Sequence, residues 1–333
     1  MAEKTNHHHL LEIKQLDISF EQAQGIAHAL RGIDLCLKSR ETHALVGESG
    51  SGKTVTSMGI MGLLAVPPGR VNRGKILFQG RDLLTLAEQE RRRLRGKDIG
   101  MIFQEPGKYL NPAYKIGEQI TETLILHFQM DRRRAVEQAL DLLRLVGLEQ
   151  NRRVLSSYPH ELSGGMKQRA MIAMAIACHP ALLIADEPTT ALDVTLQLQI
   201  LRLIHRLKVK FSMGILFISH DLGVVKEIAD RISVIYAGRI VESASRRQLF
   251  ENPLHPYTKL LLLSIPDAAK KGTRLRAIPG TVPDAQHIPP GCSFHPRCPL
   301  AENGCRREIP PSIYYEDGHQ AACFLIGKKW TDS

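Results

Sequence analysis

The chain has 333 residues, of which 43% are hydrophobic and 23% charged, and it carries a formal net charge of +10. That composition belongs to a folded protein with a sizeable core and excludes intrinsic disorder. The positive balance suits an anionic partner such as a nucleotide. The uncharged stretch Ala170–Ala185 is interrupted by His179 and Pro180, and it falls short of the roughly 18–20 apolar residues of a membrane span. The N-terminal residues include Glu3, Glu12 and Asp17 and lack the apolar core of a signal peptide. The expectation is a protein that is neither secreted nor membrane-spanning by itself. The clusters Arg91–Arg93 and Arg132–Arg134 lie in helix-like, Glu-containing segments and read as solvated faces, so no nucleic-acid partner is expected.

Residues 10–48 read as β-rich. LEIKQLDISF (11–20) alternates apolar and polar residues, and HALVG (43–47) is a short apolar strand that ends in glycine. After Lys53, TVTSMGIMGLLA reads as a helix running into the break at Pro67 and Pro68. Residues 115–150 are expected to be largely helical. ALLIA (181–185) and ILFIS (215–219) have the form of buried parallel strands, with the helix LQLQILRLIHRL between them. Strand, helix, strand predicts a right-handed crossover and an α/β sheet. The composition changes after about residue 250: eight prolines lie from Pro279 to Pro311, with three of the six cysteines, in sequence too irregular for long helices. A separate C-terminal module is expected there.

The strongest signal is GESGSGKT: Gly47, Glu48, Ser49, Gly50, Ser51, Gly52, Lys53 and Thr54, directly after a strand and before a helix. Its glycines let the backbone curl so that N–H groups face phosphate oxygens. Lys53 would neutralise the β- and γ-phosphates of ATP, and the Thr54 hydroxyl would hold Mg²⁺. In ALLIADEP an apolar strand delivers Asp186 to its carboxyl end for Mg²⁺, with Glu187 beside it. Neighbours on a strand point in opposite directions, so two roles fit better than a paired site. Glu187 is the candidate base that polarises the attacking water. LSGGMKQR (162–169) supplies a second anion-binding helix start, with Ser163 as its N-cap. FQEP (103–106), TALD (190–193) and ISHD (218–221) complete an ordered set.

With these motifs in this order, the chain resembles the nucleotide-binding subunit of an ABC transporter over about residues 10–250. The fold implied is an α/β P-loop ATPase domain, 1–250, with a helical subdomain at about 105–175. By that resemblance Gln104 reaches Mg²⁺ and the attacking water and senses the membrane partner. Ser163, Gly164 and Gly165 contact the γ-phosphate of ATP held by an opposite subunit. Asp193 lies at the dimer seam, His220 hydrogen-bonds the γ-phosphate, and Phe20 stacks on adenine.

The tail at 251–333, with NPLHPYTKLLL (252–262) and then a Pro-rich, cysteine-bearing stretch, is similar to the C-terminal extension of the peptide/nickel importer ATPases. The resemblance implies a paralogous ATPase partner, two permease subunits and an extracytoplasmic binding protein, with this chain peripheral on the cytoplasmic face of the inner membrane. The cargo implied is di- or oligopeptides, with nickel, opines or antimicrobial peptides as alternatives. A soluble ABC ATPase of DNA repair or translation is the rival from another class, disfavoured by the single cassette and short insertions.

Of the six cysteines, Cys36 and Cys178 read as small core residues. Cys292, Cys298, Cys305 and Cys323 crowd together in irregular sequence, with intervals unlike the short paired spacing of most structural zinc sites. Disulfides are disfavoured without an export signal. A module this small gains from a metal crosslink. Four thiolates suit a [4Fe–4S] cluster or zinc. The resemblance to cysteine-bearing peptide importers favours the cluster.

Overall fold

The computed structural model describes residues 9–190, 192–265, 278–315 and 318–326. In chain order the strands are β1 (Leu11–Gln22), β2 (Gly25–Leu37), β3 (Thr42–Val46), β4 (Gly69–Phe78), β5 (Arg81–Asp82), β6 (Ile99–Ile102), β7 (Leu182–Asp186), β8 (Gly214–Ser219), β9 (Arg231–Tyr236), β10 (Arg239–Ser245), β11 (Ile313–Tyr314) and β12 (Gln320–Ala321). Two compact units divide the chain, one drawn from residues 1–10, 37–41 and 85–218, the other from 11–36, 42–84 and 219–333.

The first unit is built on β6, β7 and β8, paired in parallel in that order. Every residue of β7 and β8 is buried, as an apolar run without alternation requires when both faces of a strand are covered. The helix Val194–Phe211 connects β7 to β8 and buries Ile200, Leu203, Ile204 and Leu207 on one stripe. The helical stretch expected at 115–150 is two helices, Ile116–Phe128 and Arg132–Leu145, and a third begins just beyond it at Asn151. The first of these ends where Gln129 takes a left-handed conformation (φ 53°), and Asp131 caps the second by accepting from the Arg134 N–H at 3.0 Å.

In the second unit β2, β1, β4 and β5 form one sheet, with β1 antiparallel to β4. The apolar alternation of β1 slips at Lys14-Gln15, where two polar residues adjoin. The strand absorbs the slip with a register shift between Lys14 and Asp17 and a left-handed Gln15 (φ 46°), so Leu11, Ile13, Leu16 and Ile18 all remain buried. Cys36, expected in the core, is exposed. It alternates with the buried Ile33, Leu35 and Leu37 of β2, and the two-residue period of a strand turns it outward. The helix after Lys53 stops at Met61, well before the prolines. Gly62 takes a left-handed φ of 59° there and its N–H closes the last turn.

Also in this unit, β3 pairs in parallel with β9, and β9, β10, β12 and β11 continue antiparallel. Although irregular, the segment after residue 250 is tied firmly to this sheet. The fully buried Glu242 of β10 accepts from the N–H groups of Leu254 and His255 and pairs with His319 Nε2, all at 2.8 Å. Tyr236 of β9 stacks edge-on with Tyr257 and Phe294 from the tail, centroids 4.6 and 5.2 Å apart.

Two fully enclosed histidines give this unit a pH dependence. His43 of β3 donates from Nδ1 to the Cys36 carbonyl at 2.8 Å, leaving Nε2 to accept the Ser233 hydroxyl at 2.8 Å. His255 accepts the Tyr257 N–H on Nδ1 at 3.0 Å, capping the helix Pro256–Leu263, a role only the neutral ring can fill. Burial lowers both pKa values to about 4. Because the folded values lie below the unfolded one, the unfolded chain takes up protons first as pH falls. The stability from these rings is complete above pH 6.5 and is lost toward pH 4, with a slope of about 1.4 kcal/mol per pH unit per ring. The melting temperature should therefore fall between pH 7 and pH 5, and His43→Asn should flatten that fall while lowering the plateau. A melting temperature that holds level or rises over this range contradicts the assignment.

Candidate nucleotide site and cysteine module

The loop Gly47–Thr54 joins β3 to the helix Lys53–Met61. Gly47 is obligatory: a Cβ there would lie 2.3 Å from the Ile235 carbonyl oxygen and 2.8 Å from Ser51 Oγ. Gly50 and Gly52 hold φ of 78° and 108°, values that side chains other than glycine's rarely permit. Lys53 is almost fully buried, and its Nζ donates to the carbonyls of Gly47 and Glu48 at 2.9 Å each, closing the curl from inside. The far side is anchored by the Gly238 N–H donating to the Ser51 carbonyl at 2.9 Å. Ser49 and Gly50 at the tip and Thr54 in the first helical turn are exposed. An open, glycine-lined curl with a lysine inside and a helix N-terminus behind it fits a polyphosphate.

In the same unit, Phe20 is half-buried near the end of β1, opposite Gly69. His220 follows β8 and is exposed. The next residue, Asp221, is held by its N–H donating to Ser219 Oγ at 3.0 Å, and it caps the following helix.

The other unit gathers a second group of the expected residues. Asp186, the last residue of β7, is 2% exposed, whereas Glu187 is half-buried, as opposite-facing neighbours would be. The Glu187 backbone is left-handed (φ 46°), an uncommon conformation for a residue with a side chain. Its Oε2 accepts from Gln104 Nε2 at 2.9 Å and from Thr190 Oγ1 at 3.0 Å. The structure thus brings Gln104 and Glu187 together from distant positions in the chain. Ser163 caps the helix Gly164–Ala175, its Oγ accepting from the Met166 N–H at 3.4 Å, with Ser163 and Gly164 exposed. Asp193 is likewise an N-cap, accepting from the Leu196 N–H at 2.9 Å.

Cys292, Cys298, Cys305 and Cys323 all line one small apolar cavity in the tail, with Phe294, Pro310 and Leu325. All four are free thiols. The Cys292 N–H donates to the Cys305 carbonyl at 2.9 Å. Gly291 makes that approach possible, since a Cβ on it would lie 2.5 Å from the same oxygen. Burial pushes the thiols of Cys298 and Cys323 up to about 11, so without a cation they stay protonated at neutral pH. Among the described residues no three His, Cys, Asp or Glu side chains form a ready metal-binding group. The thiols are a lining and not a preformed coordination shell. Their number, soft chemistry and apolar surroundings fit a thiolate-held centre.

Several residues beyond the expected set support these two groups, each within its own unit. Arg297 pairs with Glu48, and the Glu48 N–H donates to the Tyr257 hydroxyl at 3.0 Å. Tyr257 lies within HPYT, whose aromatic could have been flagged. Arg297 precedes Cys298, and nothing in its spacing marks it. Thr190 sits in TALD, but its contact with Glu187 depends on the turn after β7.

Residues 30–190 match the family model for the ABC transporter, and residues 241–305 match that for the oligopeptide/dipeptide transporter C-terminal region. The chain is 48% identical over 316 residues to the oligopeptide transport ATP-binding protein AppD of Bacillus subtilis, covering 95% of this chain and 96% of that protein. It is 46% identical over 316 residues to the dipeptide transport ATP-binding protein DppD of the same organism, covering 95% and 94%. Among solved structures, a dimeric, post-hydrolysis ATP-binding cassette bound to ADP and Pi superposes with a TM-score of 0.64 at 27% identity, covering 71% of this chain and 99% of that one. The chain belongs to the ABC transporter ATP-binding proteins, in the group that carries the oligopeptide/dipeptide transporter C-terminal region.

Proposed function

We infer that this ABC ATPase energises the import of di- or oligopeptides by hydrolysing ATP. It would work with a paralogous ATPase, two permease subunits and an extracytoplasmic binding protein. Residues 1–250 act as the nucleotide-binding domain, with the helical subdomain at about 105–175, and 251–333 as the importer-type extension. The observation that carries the catalytic part is the Gln104–Glu187 hydrogen bond at 2.9 Å, which orients a carboxylate held on a strained backbone. In this reading Glu187 takes the proton of a water as its oxygen bonds to the γ-phosphorus and the bond to ADP breaks. Lys53 and the loop amides hold the phosphates, and His220 donates to the γ-phosphate. Phe20 stacks on adenine, and Asp193 lies at the seam between ATPases. Ser163, Gly164 and Gly165 close on ATP bound by the partner ATPase. Thr54, Gln104 and Asp186 would be the residues that hold Mg²⁺, which would neutralise charge developing on the phosphates.

No described helix is long and apolar enough to cross a membrane. Beyond Gln104 the segment exposes Tyr109, Tyr114, Leu126 and Phe128, a surface suited to a partner. That supports peripheral attachment through permeases at the cytoplasmic face of the inner membrane. The peptide cargo rests on the relatives' names and on the C-terminal region.

The four-cysteine lining is read as the seat of a [4Fe–4S] cluster, with zinc as the alternative. Such a centre would crosslink a tail of little regular structure and could add redox sensitivity.

Glu187→Gln should still bind Mg-ATP, while single-turnover cleavage at the site holding that residue drops on the order of 10²–10⁴-fold in the assembled transporter. Near-normal cleavage there removes Glu187 from the role. Protein purified without oxygen should be brown and contain iron and acid-labile sulfide, and serine at any of the four cysteine positions should bleach it. Colourless protein that holds zinc decides for the alternative.

A further inference from the structure

A carboxylate in a phosphate-binding loop is an electrostatic liability, because it repels the polyanion that the loop must hold. Glu48 is that carboxylate, and the structure disposes of it in a specific way. Arg297 Nη1 donates to Glu48 Oε2 at 2.7 Å and Nη2 to Oε1 at 3.0 Å, a two-pronged pair in which the arginine side chain is only 5% exposed. The guanidinium is fixed in turn: its Nε donates to the Pro279 carbonyl at 2.8 Å, and its centre lies 5.8 Å from the Tyr236 ring. Tyr257, enclosed by Tyr236 and Phe294, receives the Glu48 N–H. Both the side chain and the backbone of one loop residue are therefore gripped from the C-terminal tail.

The grip on the side chain originates between two of the clustered cysteines. Phe294 and Arg297 lie on the segment from Cys292 to Cys298, where the Cys292 carbonyl accepts from the His295 N–H at 2.9 Å and from its ring Nδ1 at 3.0 Å. A short 3₁₀ turn, His295–Arg297, presents the arginine. Cys292 and Cys298, the two ends of this segment, both belong to the four-thiol lining.

We propose that Arg297 is a positioning residue for the nucleotide, holding Glu48 turned from the phosphates, and that the cysteine module sets the ATP affinity of the loop through it. The second half rests on the reading of the four cysteines as a metal-centre site; the first does not.

The full chain, purified without oxygen, is titrated with Mg-ATPγS, a slowly hydrolysed analogue, alongside Arg297→Met, Glu48→Gln, the double variant and Arg297→Lys. Metal content and melting temperature are recorded for each. Arg297→Met should weaken binding about tenfold with metal content unchanged. In the double variant most of that loss should be absent, because no carboxylate is left to swing toward the phosphates. Arg297→Lys, which keeps the charge but not the fork, should fall between. Unchanged affinity in Arg297→Met, or losses that simply add in the double variant, would overturn the positioning role. For the module, chelation or oxidation of the wild-type centre should lower affinity to the Arg297→Met value and should do nothing further to Arg297→Met itself. Equal losses in both proteins overturn the link through Arg297. Wild-type protein that holds no metal fails the metal-centre reading and with it the second half, while the variant series still decides the first.

Discussion

Everything functional in this chain depends on a loop backbone bent into a curl that an unstructured chain would not keep. The bend is enforced sterically, because the Ile235 carbonyl leaves no room for a side chain at residue 47. It is also enforced electrostatically, because the Lys53 ammonium draws two carbonyls of the loop inward. A loop of this kind is held in shape before any ligand arrives, so binding phosphates there would incur little ordering cost. The surrounding strands serve that end: β3 delivers the loop, β9 supplies the blocking carbonyl, and the turn after β9 anchors Ser51 through Gly238.

The tail belongs to the same argument. Among its described residues the regular elements are short, yet it docks through a buried carboxylate, a trio of aromatic rings and an added strand pairing. Buried polar anchors of this type specify one arrangement, because any other leaves Glu242 without donors in an apolar interior. The tail is thus fixed where it can act on the loop at Glu48.

Most of the site's vocabulary was legible in the sequence because it is local. A glycine-rich turn between strand and helix, a serine opening a helix with two glycines, and an apolar strand ending in two acids each state their conformation in consecutive residues. The buried strands β7 and β8 were equally plain, since an apolar run without alternation has few other fates. What stayed hidden was tertiary. The pairing of Gln104 with Glu187 spans the helical segments between them, and Arg297 meets Glu48 from the far end of the chain. An apolar neighbourhood does not by itself mean burial: Cys36, between the buried Leu35 and Leu37, lies on the outer face of its strand. The slip in β1 was visible as adjacent polar residues, but only strand pairing reveals a bulge there.

The central claim is that the enforced curl at Gly47 is what binds the phosphates. Its most direct test is calorimetric titration of Mg-ATP into the full chain and into Gly47→Ala, with circular dichroism on both. The added methyl cannot be placed without displacing the loop from Ile235 and Ser51, so affinity should fall at least about tenfold while secondary structure is retained, a loss of ~1.4 kcal/mol or more. Wild-type affinity in Gly47→Ala, with the fold intact, would contradict the account.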